Sequence, residues 1–101
     1  MAQLQSYTKI YTKEGSAYIR KLCRHFVHKV PVSYTENAGK AEFPFGICVM
    51  GADDESLTFT INSNSSEELD RAEDVLVRHL EKFAYKENLD INWTRNELSP
   101  A

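Results

Sequence analysis

The sequence predicts an α+β fold: a single-domain two-layer sandwich of order βαβββαβ, its sheet mainly antiparallel, with both helices on one face. Three observations predict it. Two segments carry apolar residues at helical spacing along a single stripe, and several short segments alternate apolar with polar residues. The chain, 101 residues with 42% hydrophobic content, suits one core and no second domain.

Leu4 to Tyr11, rich in Tyr, Thr and Ile, fits a pleated surface and reads as the opening strand. Thr12 then offers an N-cap for a first helix whose apolar face is Ile19, Leu22, Cys23, Phe26 and Val30, with Pro31 enforcing its end. Val30, Val32 and Tyr34 alternate as a strand that turns at Asn37-Ala38-Gly39. Ala41, Phe43, Phe45, Ile47 and Val49 share one parity through Pro44 and Gly46, which predicts one long strand bent at Phe-Pro-Phe-Gly. This parity turns Cys48 away from Ile47 and Val49. Leu57, Phe59 and Ile61 alternate with Thr58, Thr60 and Asn62 as a half-buried strand. Ser65 with Glu68 fits a capping box for a second helix running to about Lys86, with Leu69, Ala72, Leu76, His79, Leu80 and Phe83 on its stripe. Leu89, Ile91 and Trp93 predict a closing strand, so that one domain spans residues 1–101, with a core over 4–94 and a polar tail over 95–101.

A core of this size needs no metal or disulfide to hold it. Cys23 and Cys48, without paired spacing, are expected to stay thiols. No run approaches the ~20 apolar residues of a membrane helix, and the opening Met-Ala-Gln-Leu-Gln lacks the pattern of a signal peptide, so the cytoplasm is the expected compartment and no membrane is expected. The net charge of −3 conceals a split: residues 1–40 carry seven Lys and Arg against two acids, residues 41–101 five against thirteen. Lys13, Arg20, Lys21 and Arg24 fall in one sector of the first helix, away from its core face, as a candidate surface for an anion or an acidic partner. A solvated helix face explains the same sector, and the overall acidity disfavours nucleic acid.

The histidines His25, His28 and His79 are the candidate metal or haem ligands. His25 and His28 stand three residues apart on a flank of the first helix, while His79 lies inside the stripe of the second. A hydrogen-bonded core residue is the commoner fate of such a histidine, and the structural reading of His79 outweighs the ligand reading. Glycine-rich nucleotide loops, serine-nucleophile motifs and zinc-protease motifs are all absent, which argues against an enzyme.

Four segments carry a resemblance: LCRHFVHKVPV at 22–32, FPFG at 43–46, HLEKFA at 79–84 and INW at 91–93. Over residues 7–93 the chain resembles the bacterial domain of unknown function 2218, whose His-Phe-x-His-Lys and His-Leu-x-x-Phe-Ala patterns match His25, Phe26, His28, Lys29, His79, Leu80, Phe83 and Ala84. The resemblance brings no activity or ligand. It implies a small stand-alone cytoplasmic protein, and the joining of the same domain to flavin-dependent siderophore-interacting reductases implies a role beside iron or haem. No flavin or nicotinamide segment is present here. The expectation is a non-enzymatic cytoplasmic binding or accessory domain in iron, haem or siderophore metabolism, with haem or a transition metal as candidate ligand and a siderophore-interacting flavin reductase or a second copy as candidate partner. The alternative is a protein–protein interaction or homo-oligomerisation module with no small ligand.

Overall fold

In the computed structural model, which describes residues 3–97, the alternating segments pair into one sheet. The strands are β1 (Leu4–Tyr11), β2 (Val32–Tyr34), β3 (Ala38–Phe43), β4 (Gly46–Ala52), β5 (Ser56–Ser63) and β6 (Thr94–Glu97), with α1 (Gly15–Phe26) after β1 and α2 (Ser66–Phe83) after β5. The sheet order is β2-β3-β4-β5-β1-β6, and every adjacent pair is antiparallel. α1 packs on β2, β3 and β4, and α2 on β1, β4 and β5, so both helices cover one face. The α+β class and the shared helix face agree with the sequence reading.

The core forms where the two apolar stripes meet the inward residues of the sheet. Ile19, Leu22, Cys23 and Phe26 of α1 and Leu69, Ala72, Leu76 and Leu80 of α2 close on Ile10, Met50, Leu57, Phe59 and Ile61. Each large aliphatic side chain buried there contributes about 1.5–3 kcal/mol. Gly39 lets α1 approach β3, because a Cβ at that position would lie 2.9 Å from the Cys23 sulfur. On the other face, Val49, Thr60 and Tyr7 stand side by side on β4, β5 and β1, and no helix covers them.

Four expectations need correction. The long bent strand is a hairpin: Phe43 pairs with Gly46 across a two-residue turn, and Ala41 pairs with Cys48. Such a turn reverses the parity of the inward residues, so Cys48 and Met50 are buried while Ile47 and Val49 are exposed. The sheet therefore has one strand more than the order βαβββαβ. Thr12 does not cap α1; Glu14 holds the cap position without a side-chain bond, and α1 ends at Phe26, four residues before Val30. α2 ends at Phe83 rather than near Lys86, although Ser65 does cap it by accepting from the Glu68 N–H.

The closing strand is displaced as well. Leu89, Ile91 and Trp93 pack on the core outside any strand, and the ladder to β1 is made by the four exposed residues Thr94–Glu97. Backbone pairing with the free edge of β1 selects them, together with Arg95, whose guanidinium donates to Asp70 and Glu73 of α2. Part of the expected polar tail is thus strand, and residues 98–101 lie outside the described residues.

Candidate functional site at the helix seam

α1 and α2 meet along a seam that carries a different chemistry at each end. Near the C-terminal end of α1, the stripes bring His25 and His79 together with ring centroids 4.6 Å apart. Phe26 lies edge-on to both imidazoles, Phe43 is edge-on to Phe26, and Phe45 is stacked on Phe43. Phe83, one helical turn beyond His79, faces His25 edge-on at 6.5 Å. Three distant segments, 25–26, 43–45 and 79–83, therefore converge in one aromatic cluster. His28 stands outside it: the residue falls after the end of α1 and is exposed.

Hydrogen bonding fixes the chemical state of His79. Its Nδ1 lies 2.7 Å from the Val75 carbonyl oxygen, which can only accept, so Nδ1 carries the proton and Nε2 keeps a free lone pair when the ring is neutral. The Nε2 of His25 is buried and has no hydrogen-bond partner. Burial, followed by the charges of His79, Lys29, Lys82 and His28, holds the His25 imidazole below its ordinary pKa and keeps it neutral. A shallow depression of about 270 Å³ opens beside His79, lined also by Val75, Arg78 and Lys82. Among the described residues, no group of three His, Cys, Asp or Glu side chains gathers to hold a metal, so the three histidines do not form one centre.

The other end of the seam lies between the first turns of α1 and the chain leaving α2. Here a cleft of about 540 Å³ is lined by Lys13, Tyr18, Lys21, Phe83, Lys86 and Glu87, among others. The phenol of buried Tyr18 donates to the Glu87 carboxylate, and the Thr12 hydroxyl lies 2.9 and 3.1 Å from the two oxygens of that carboxylate. Burial, the Glu87 hydrogen bond and the charges of Glu87 and Glu14 push the Tyr18 phenol upward, so it remains a protonated donor. Of the expected basic sector, Lys13 and Lys21 border the cleft, while Arg20 and Arg24 are exposed outside it. Tyr18, Lys86 and Glu87 escape the sequence reading, since only the folded chain brings the segment after α2 back to α1.

A bacterial family described as an uncharacterised protein conserved in bacteria, DUF2218, matches residues 7–94. Among solved structures, the chain is similar to the NMR structure of PA4090 from Pseudomonas aeruginosa, with 28% identity, a TM-score of 0.76 and coverage of 89% of this chain and 94% of that one. No curated protein matches the chain.

Proposed function

The chain belongs to the bacterial family DUF2218, and from that premise we propose that it is a non-enzymatic cytoplasmic binding or accessory domain in iron, haem or siderophore metabolism, with His25 and His79 as its site. One observation carries the proposal: a buried imidazole nitrogen without a partner, on His25, lies beside a second imidazole whose Nδ1 bond leaves its Nε2 lone pair available. An orphaned buried polar atom costs about 1–3 kcal/mol, a cost that a ligand can offset. Tying Nδ1 of a ligating histidine to a carbonyl is the usual way of orienting its Nε2.

The donor set discriminates among metals. Structural zinc takes four protein ligands, and two imidazoles do not supply them. A metal that arrives with its own donors fits better, and haem is the leading candidate because it would need only one imidazole from the protein. His79, which lines the depression with Val75, Arg78 and Lys82, would hold such a group, with His25 packed against its ring and Arg78 and Lys82 placed to face carboxylates. When bound, the group would supply iron-centred redox chemistry that the side chains of this chain lack. A siderophore-interacting flavin reductase is the partner this role calls for.

The test is a titration with hemin, zinc and a ferric siderophore, followed by absorbance and calorimetry. Hemin is expected to bind saturably in the micromolar range, at least tenfold more weakly to His79→Ala and unchanged to His28→Ala. Equal hemin affinity for the wild type and for the His79→Ala and His25→Ala variants would overturn the reading. A second reading, homo-oligomerisation with no small ligand, is favoured by the uncovered row Val49, Thr60 and Tyr7, on which the same face of a second copy could stack at ~10 Å. Light scattering after size exclusion separates the two: this reading requires a ligand-independent dimer that Val49→Lys dissociates.

A further inference from the structure

The cleft at the N-terminal end of α1 is chemically unlike the histidine pair, and the sequence gives no role to its floor. Three ammonium groups, Lys13, Lys21 and Lys86, surround it. Among the described residues, ion pairs are made by Arg78 and Arg95, and none of these lysines makes one. The Glu87 carboxylate, which lines the cleft as well, makes its hydrogen bonds with the hydroxyls of Tyr18 and Thr12. That knot ties the Glu87 carboxylate to Thr12 and Tyr18, and the three lysines line the same cleft. Glu14 also lines the cleft but is exposed. Isolated surface lysines attract an anion weakly, whereas several around one concavity reinforce each other.

The walls are aromatic. Phe83 and the exposed Tyr85 both line the cleft, with the Lys86 ammonium 5.8 Å from the Tyr85 ring centroid. The volume of about 540 Å³ exceeds the needs of an inorganic oxyanion and falls in the range of roughly 300–1,000 Å³ typical of small-molecule sites.

The geometry points to a binding site for a small aromatic organic anion, its carboxylate or phosphate facing Lys13, Lys21 and Lys86 and its ring against Phe83 and Tyr85. The aromatic lining favours a ring over an aliphatic body. This site shares the Phe83 ring with the histidine cluster but draws its charges from other residues and needs neither imidazole.

Phenyl phosphate, benzoate and inorganic phosphate serve as probes in a heteronuclear NMR titration of the intact chain. At least one aromatic probe is expected to shift cleft signals saturably, tenfold or more tightly than inorganic phosphate, and several-fold more weakly when salt rises from about 0.05 to 0.5 M. Lys21→Gln with Lys86→Gln, both exposed positions, should weaken that binding at least tenfold while leaving the circular dichroism spectrum unchanged. His79→Ala should leave it intact, which separates this proposal from the one above. The site is refuted if neither aromatic probe binds more tightly than inorganic phosphate, if the shifted signals lie away from the cleft, or if the double lysine variant binds as well as the wild type.

Discussion

At the end of the helix seam nearest Phe26, imidazole faces imidazole among phenylalanines and the charges stay at the rim; at the end nearest Gly15, a carboxylate sits under two hydroxyls and lysines crowd the opening. The same two helices create both. What differs is the solvation left to each polar group. Around His25 desolvation dominates, so the structure keeps a titratable ring neutral. Around Glu87 two hydroxyls supply the hydrogen bonds of the carboxylate, and the lysines that line the same cleft make no ion pair among the described residues. A buried polar group left without a partner and an exposed charge left without a partner are separate kinds of binding opportunity, the first for a lone-pair acceptor and the second for an anion.

The largest loss of stability is expected at Tyr18. Tyr18→Ala removes a buried ring and leaves Glu87 short of a donor, and is expected to cost about 3–5 kcal/mol in urea unfolding. Tyr18→Phe, which keeps the ring, should cost about 1–2 kcal/mol, and a neutral result would show that the hydroxyl knot does not hold this end. At the opposite end, His79→Ala is expected to cost about 1–3 kcal/mol by the same measurement, through a partial cavity and the lost Val75 contact.

A smaller effect sharpens the contrast in solvation. The folded-state pKa of His25 is held below its ordinary 6.5, so on acidification the unfolded chain takes up that proton first. The contribution of His25 to stability is therefore complete above about pH 6.5 and is lost as the pH falls below that toward the folded-state value. Unfolding free energies measured from about pH 7.5 to 5.5 should decline, and His25→Leu should flatten the decline. A slope unchanged in that variant would mean that desolvation does not govern this end. The smallest effect is expected from Arg20→Ser with Arg24→Ser, a change within about 0.5 kcal/mol, because both side chains are exposed and lie outside the cleft. Thermal melting checks this, and aromatic-anion binding should also persist in the pair.

The histidine end was legible in the sequence because its residues belong to the helix stripes: Ile19, Leu22 and Phe26 orient α1, Leu76 and Leu80 orient α2, and the seam follows. The cleft was half legible. Lys13 and Lys21 come from the helix pattern, but Lys86 and Glu87 follow the end of α2 and reach α1 through a reversal that no local periodicity encodes. A similar limit explains the strands. Phe43 to Val49 keep one parity by chance across a two-residue turn, which hides the hairpin, and Thr94–Glu97 are all exposed, so hydrophobic alternation cannot reveal a strand that exists through edge pairing and the Arg95 bridges.

The position of β1 also has a consequence for biosynthesis. The first strand made lies between β5 and β6, so its nearest partner, β5, is translated only after α1 and the three intervening strands. At about 5–20 residues per second, β1 waits some seconds beyond the ribosome before it can form a single ladder bond. During that interval its backbone donors and acceptors, together with Tyr7, Ile10 and Tyr11, are open to any other nascent edge. The β2–β3–β4 hairpins, whose partners are neighbours in the chain, can assemble meanwhile and offer a template for β5. A slow-translating stretch placed after β5 would thus favour correct closure, whereas one placed between α1 and β5 would lengthen the exposure of the opening strand.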